Sequence, residues 1–94
     1  MEINNYPDYL IYEDGRVFSK KSNKFLKPFT NSRCYYRVKL CKNGKMKDYH
    51  IHRLIAEHYI PNPQNKKYVD HFDRNKQNNN LNNLRWVTRI ENTL

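Results

Sequence analysis

Val69-Asp70-His71-Phe72-Asp73-Arg74-Asn75-Lys76-Gln77-Asn78-Asn79, then Asn83-Leu84-Arg85-Trp86-Val87-Thr88 and Glu91-Asn92, is the stretch that decides this fold. Two apolar islands, Tyr68-Val69 and Leu84-Arg85-Trp86-Val87, bracket a strongly polar, asparagine-rich run. Low-complexity disorder is one reading of that run. Its placement between two strand-like islands favours an ordered, self-bonded loop, because Asn side chains satisfy backbone groups in turns. Thr88-Arg89-Ile90-Glu91 fits a capping box, so a helix should begin there. A β-β-α turn-back of this kind brings Asp70 and Asn92 together although 22 positions separate them.

Those residues suit phosphodiester hydrolysis. The reaction needs an activated water, a cation against the scissile phosphate and stabilisation of the leaving 3′ oxygen. A histidine titrating near neutrality, here His71, can take the proton from water. A hard divalent cation can neutralise charge on the phosphate and prefers oxygen ligands such as Asp70 and the side-chain oxygen of Asn92. Neighbours on a regular strand point to opposite faces. For Asp70 and His71 to reach one phosphate, the strand must end or twist there, or the two must approach from different sides.

Outward from this stretch, His52 to Tyr59 has helical spacing, with Ile51, Leu54, Ile55 and Tyr59 on one stripe and Arg53 and Glu57 pointing away. Pro61 and Pro63 stop it. Before it, Tyr35 to Leu40 alternates Tyr36, Val38 and Leu40 against Tyr35, Arg37 and Lys39. Asn43-Gly44 is a favoured two-residue turn, and Met46 to Ile51 returns. Residues 6–19 read as a short β unit turning at Glu13-Asp14-Gly15-Arg16.

Eighteen Lys+Arg against nine Asp+Glu give a net charge of +9, which attracts polyanions, nucleic acid first among them. No basic amphipathic helix points to a membrane surface. No apolar stretch reaches the length of a membrane span, and no signal peptide is evident. Cys34 and Cys41 form no CxxC knuckle, so no zinc ribbon is expected, and unpaired thiols suit a reducing, intracellular setting.

The two quoted runs resemble the halves of the HNH homing-endonuclease motif, V-(D/N)-H-x-D-(G)-N-K-x-N-N and N-L-(E/R)-W-V-T…N. Upstream, His52-Arg53-Leu54-Ile55-Ala56 and Ile60-Pro61-Asn62-Pro63 are similar to that family's lead-in, and Tyr9 to Ser19 to its small preceding β module. The resemblance covers nearly the whole chain. It implies an α+β fold in a single domain over residues 1–94, with N-terminal β-hairpins over about 1–50, then one central helix and a C-terminal ββα-metal motif over about 51–94. It further implies His71 as general base, Asp70 and Asn92 as ligands of one Mg²⁺ or Mn²⁺ ion, Asn83 as the brace of the loop and His52 in support. The implied partner is double-stranded DNA, bound by a monomer or homodimer, and the implied source is a phage, virus or mobile element.

Arg74 stands where the family usually has glycine, which alters the turn or adds a phosphate contact. The chain also stops soon after Asn92, where many relatives continue into a DNA-reading module. Arg85 alternates outward beside a core-facing Trp86. With Arg74, Lys76, Arg89 and the hairpin residues Arg37 and Lys39, it is expected to contact DNA. Lys42, Lys45 and Lys47 extend the hairpin's charge. His50, His52 and His58 offer a zinc reading, but packing or hydrogen bonding is favoured because no fourth ligand has suitable spacing. Asp73 reads as a turn-former rather than a third ligand. The competing functions are a DNA-binding module of the same fold that cleaves poorly, and an RNA-binding domain.

Overall fold

The structure is a computed structural model that describes residues 1–30 and 33–93, with side chains as far as Glu91. Strand β1 (Glu2–Ile3) turns through Asn5, at φ 68°, into β2 (Tyr6–Ile11). The chain then reverses over Tyr12 to Arg16, where Tyr12 N–H donates to Arg16 O at 3.0 Å and Gly15 N–H to Tyr12 O at 2.9 Å. Gly15 sits at φ 93°, a conformation open mainly to glycine. Strands β3 (Val17–Ser19) and β4 (Lys24–Phe25) complete an antiparallel sheet in the order β1-β2-β3-β4.

A second sheet joins β5 (Phe29–Thr30), β6 (Tyr36–Lys42) and β7 (Lys45–His50). Asn43 at φ 54° and Gly44 at φ 76° make the expected tight turn between β6 and β7. The alternation holds: Val38 and Leu40 are buried, while Lys39 is exposed.

Helix α1 (Ile51–Tyr59) follows β7 without a linker, so Ile51 opens the helix instead of closing the strand. Its apolar stripe of Ile51, Leu54, Ile55 and Ala56 is buried. Ile60, before Pro61, is extended, and its N–H donates to Ala56 O at 3.1 Å to end the helix.

The C-terminal part runs β8 (Tyr68–His71), a 3₁₀ turn (Leu81–Asn83), β9 (Leu84–Val87) and helix α2 (Arg89–Thr93). β8 and β9 pair antiparallel with Asp70 opposite Arg85 and His71 opposite Leu84. One apolar cluster unites Ile3, Ile11, Val17, Val38, Leu40, Ile51, Leu54, Ile55 and Leu84, drawn from both sheets, α1 and β9. Each such side chain contributes about 2 kcal/mol on burial. The result is the expected small α+β fold of several strands and one main helix. No described helix is long and apolar enough to cross a membrane.

Candidate functional site

The regular β8–β9 register decides where the two central side chains go. Val69 packs on the core, and His71, two residues on, is buried on the same side. Asp70 faces the other way, where Arg85 Nε and Nη2 both donate to its Oδ2 at 3.1 and 3.0 Å. Oδ1 takes neither bond. The Arg85 guanidinium also lies over the Phe72 ring, 4.8 Å from its centroid. Asp70 and His71 therefore leave the end of one strand on opposite sides.

His71 enters a cluster of rings. Its centroid lies 5.2 Å from that of His52 and 6.0 Å from that of Tyr35, and His50 lies 5.1 Å from His52. His71 Nε2 is 2.9 Å from Oδ1 of Asn79, and both residues are buried. Burial, with His50, His71 and Arg53 nearby, pushes the His52 pKa down to about 3. His52 Nδ1 is buried and has no hydrogen-bond partner among the described residues. His50 is shifted down as well, first by burial and then by Arg37 and Arg53. His58 lies apart from these rings: its Nδ1 donates to Leu54 O at 2.7 Å and its Nε2 accepts from Asn4 N–H at 2.9 Å. The described residues contain no group of three or more His, Cys, Asp or Glu able to hold a metal.

The asparagine loop bonds to itself. Asp73 Oδ1 accepts from Asn75 N–H, Asn75 Oδ1 from Gln77 N–H, Asn78 Oδ1 from Asn80 N–H, and Asn80 Oδ1 from Asn82 N–H. Each is the short-range turn that Asx side chains favour. Asn83 ties the loop together: its Nδ2 donates to Asp73 Oδ1 and Asn78 O, both at 2.9 Å, and its Oδ1 accepts from Asp73 N–H at 3.1 Å. The Asn78 amide, then the Asn75 N–H and the Asn83 amide, hold the Asp73 carboxyl below its usual range. Asp73 is thus a turn-former. Arg74 stands at φ 61°, a left-handed conformation that glycine adopts without strain.

The capping box at α2 is closed in both directions, Thr88 N–H to Glu91 Oε1 at 2.9 Å and Glu91 N–H to Thr88 Oγ1 at 3.2 Å. The bond from Thr88 N–H, with Lys66 at 2.9 Å, draws the Glu91 pKa down to about 2. α2 packs against β8 and β9. Asn92 lies on this helix, and its side chain falls outside the described residues. Asp70 Oδ1 lies outside the Arg85 bonds, and a carboxylate oxygen is a hard donor of the kind that divalent cations such as Mg²⁺ or Mn²⁺ accept.

Among the cationic residues, Arg37 Nε donates to His50 Nε2 at 3.3 Å, and Arg37 and Lys39 both approach Asp48, at 3.9 and 3.8 Å. Lys76 lies over the Tyr35 ring at 5.0 Å, which places it beside the His71 cluster. Arg74 and Arg89 are exposed. Trp86 is half-buried, with its indole N–H donating to Ile60 O at 3.0 Å. Cys34 and Cys41 are free thiols. Two participants, Tyr35 and Asn79, lie outside the set expected from sequence. Asn79 occurs within the quoted N-K-x-N-N run, but nothing in one dimension distinguishes it from its loop-forming neighbours.

Residues 49–94 match the family model described as HNH endonuclease. Over 94 residues the chain is 48% identical to an uncharacterized HNH endonuclease of Acanthamoeba polyphaga mimivirus, covering all of this chain and 28% of the relative. It is 44% identical to DNA endonuclease I-HmuI of Bacillus phage SP01 over 80 residues, 85% of this chain and 46% of that protein. The solved structure of DNA binding and cleavage by the HNH homing endonuclease I-HmuI superposes with a TM-score of 0.93 at 40% identity. That match covers 99% of this chain and 54% of the solved one. The chain thus spans less than half the length of these two curated relatives.

Proposed function

We propose that the chain is an HNH endonuclease, as its match to that family over residues 49–94 and its likeness to I-HmuI support, and that it hydrolyses phosphodiester bonds of double-stranded DNA with one divalent metal ion. His71 is the general base, Asp70 and Asn92 hold the metal, and Asn83 keeps the intervening loop in shape. The observation that carries this reading is His71 itself, fixed at Nε2 at the end of a strand whose preceding residue presents a carboxylate on the other side. A phosphate lying across that strand end meets imidazole from one side and carboxylate from the other, the arrangement that in-line attack requires.

When bound, the metal supplies charge neutralisation at the phosphate and the leaving oxygen. His71 takes a proton from water, the water oxygen bonds to phosphorus, the bond from phosphorus to the 3′ oxygen breaks, and that oxygen takes a proton from solvent. Arg85 holds Asp70 through Oδ2 alone and stands ready to contact a phosphate beside it. Arg37, Lys39, Arg74, Lys76 and Arg89 supply further positive charge for the DNA backbone, and His52 supports the base from beneath.

Supercoiled plasmid tests the proposal. Nicked or linear product should accumulate with Mg²⁺ or Mn²⁺ and be absent with a chelator. Binding without cutting under every divalent ion would favour the DNA-binding reading instead.

A further inference from the structure

We propose that Asn79 is the positioning residue of the His71 base: its Oδ1 accepts from Nε2–H and so keeps Nδ1 as the nitrogen that takes the proton from water. The inference rests on the nuclease reading above and adds a residue and a tautomer to it. A neutral imidazole carries one N–H, and the partner of one nitrogen decides the role of the other. At 2.9 Å, in a bond buried at both ends, an amide oxygen accepts only from a protonated Nε2. The lone pair then lies on Nδ1.

Asn79 is well placed to impose this choice. Asn78 before it is held through its carbonyl by Asn83, and Asn80 after it accepts from Asn82 N–H. Gly15 lies against its Cβ and its carbonyl oxygen. The neighbouring His52 ring packs on His71, and no hydrogen bond joins the two, so Asn79 is the polar partner that orients the imidazole. An amide also orients the ring without the full negative charge that would hold it protonated. In the step itself the water O–H bond breaks and its proton passes to Nδ1. The new oxygen–phosphorus bond replaces the one to the 3′ oxygen, which takes a proton from solvent, and Nε2–H stays on Asn79 throughout.

The test uses the 94-residue chain labelled with ¹⁵N-histidine, without metal or DNA, at about pH 8. His71 should show a protonated Nε2 and an unprotonated Nδ1. Asn79→Leu should give a mixture of tautomers. In plasmid cleavage, Asn79→Leu should lower kcat about 10–100-fold, the usual cost of losing an orienting partner, with duplex binding unchanged. A wild-type His71 protonated at Nδ1 overturns the proposal, and that spectrum decides whether or not the leucine variant folds. Full cleavage by a folded Asn79→Leu overturns it too. The expected tautomer in a chain that never cuts DNA refutes the nuclease reading, and with it the catalytic purpose given to Asn79, while the bond itself stands.

Discussion

Gly15 lies directly against Asn79: a β-carbon at Gly15 would fall 3.1 Å from Asn79 Cβ and 3.4 Å from its carbonyl oxygen. The N-terminal turn thereby braces the residue that meets His71. Gly15→Ala should cost roughly 1–3 kcal/mol in urea unfolding, combining left-handed backbone strain with that contact. It should also slow cleavage under conditions where the protein stays folded. An unchanged midpoint would mean that the turn is free to move.

Helix α2 is short and depends on its cap. Thr88→Ala removes the acceptor for Glu91 N–H and should cost about 1 kcal/mol. Because Asn92 rides on α2, the same variant should weaken Mn²⁺ binding several-fold in a DNA-free titration. Unaltered Mn²⁺ affinity would remove Asn92 from the ligand set.

His52 makes stability depend on pH. Its folded pKa of about 3 lies below the ordinary 6.5, so between those values the unfolded chain binds a proton that the folded chain refuses. Stability is therefore complete above about pH 7 and is lost as pH falls toward 3, with a limiting slope of about 1.4 kcal/mol per pH unit. His50 adds in the same direction. Wild-type unfolding free energy should fall between pH 7 and pH 5, and His52→Leu should flatten that fall. Equal slopes in the two proteins would contradict a buried, neutral His52.

Much of this architecture is legible locally. The Asn43-Gly44 turn, the Thr88–Glu91 capping box, the stripe of α1 and the Asx turns of the loop each depend on residues a few positions apart. The helix starts one residue earlier than strand pairing suggests, because Ile51 belongs to the buried stripe of α1 and carries it into the core. The site depends on packing across the chain. Tyr35 meets His52 and His71 through tertiary contact, Gly15 meets Asn79 from the opposite end of the sequence, and no periodicity encodes either. The opposed directions of Asp70 and His71 follow from strand alternation. Which side each occupies depends on the position of the core.

Arg37 and Lys76 flank the ring cluster, and the proposed function assigns them to phosphate contact. Arg37→Ala and Lys76→Ala should each weaken duplex binding at all sequences alike and reduce the slope of log affinity against log salt by about 1. Asp48→Asn should do the reverse, since Asp48 offsets Arg37 and Lys39. A variant that changes affinity without changing the salt slope would rule out phosphate contact at that position.

The most direct measurement follows cutting and binding of one duplex side by side, with Mn²⁺, for wild type and His71→Ala. The wild-type chain should cut, and His71→Ala should bind the duplex with similar affinity while its cleavage falls by at least about 10²-fold, as expected for loss of a general base. Cleavage by His71→Ala at the wild-type rate would contradict the account at its centre.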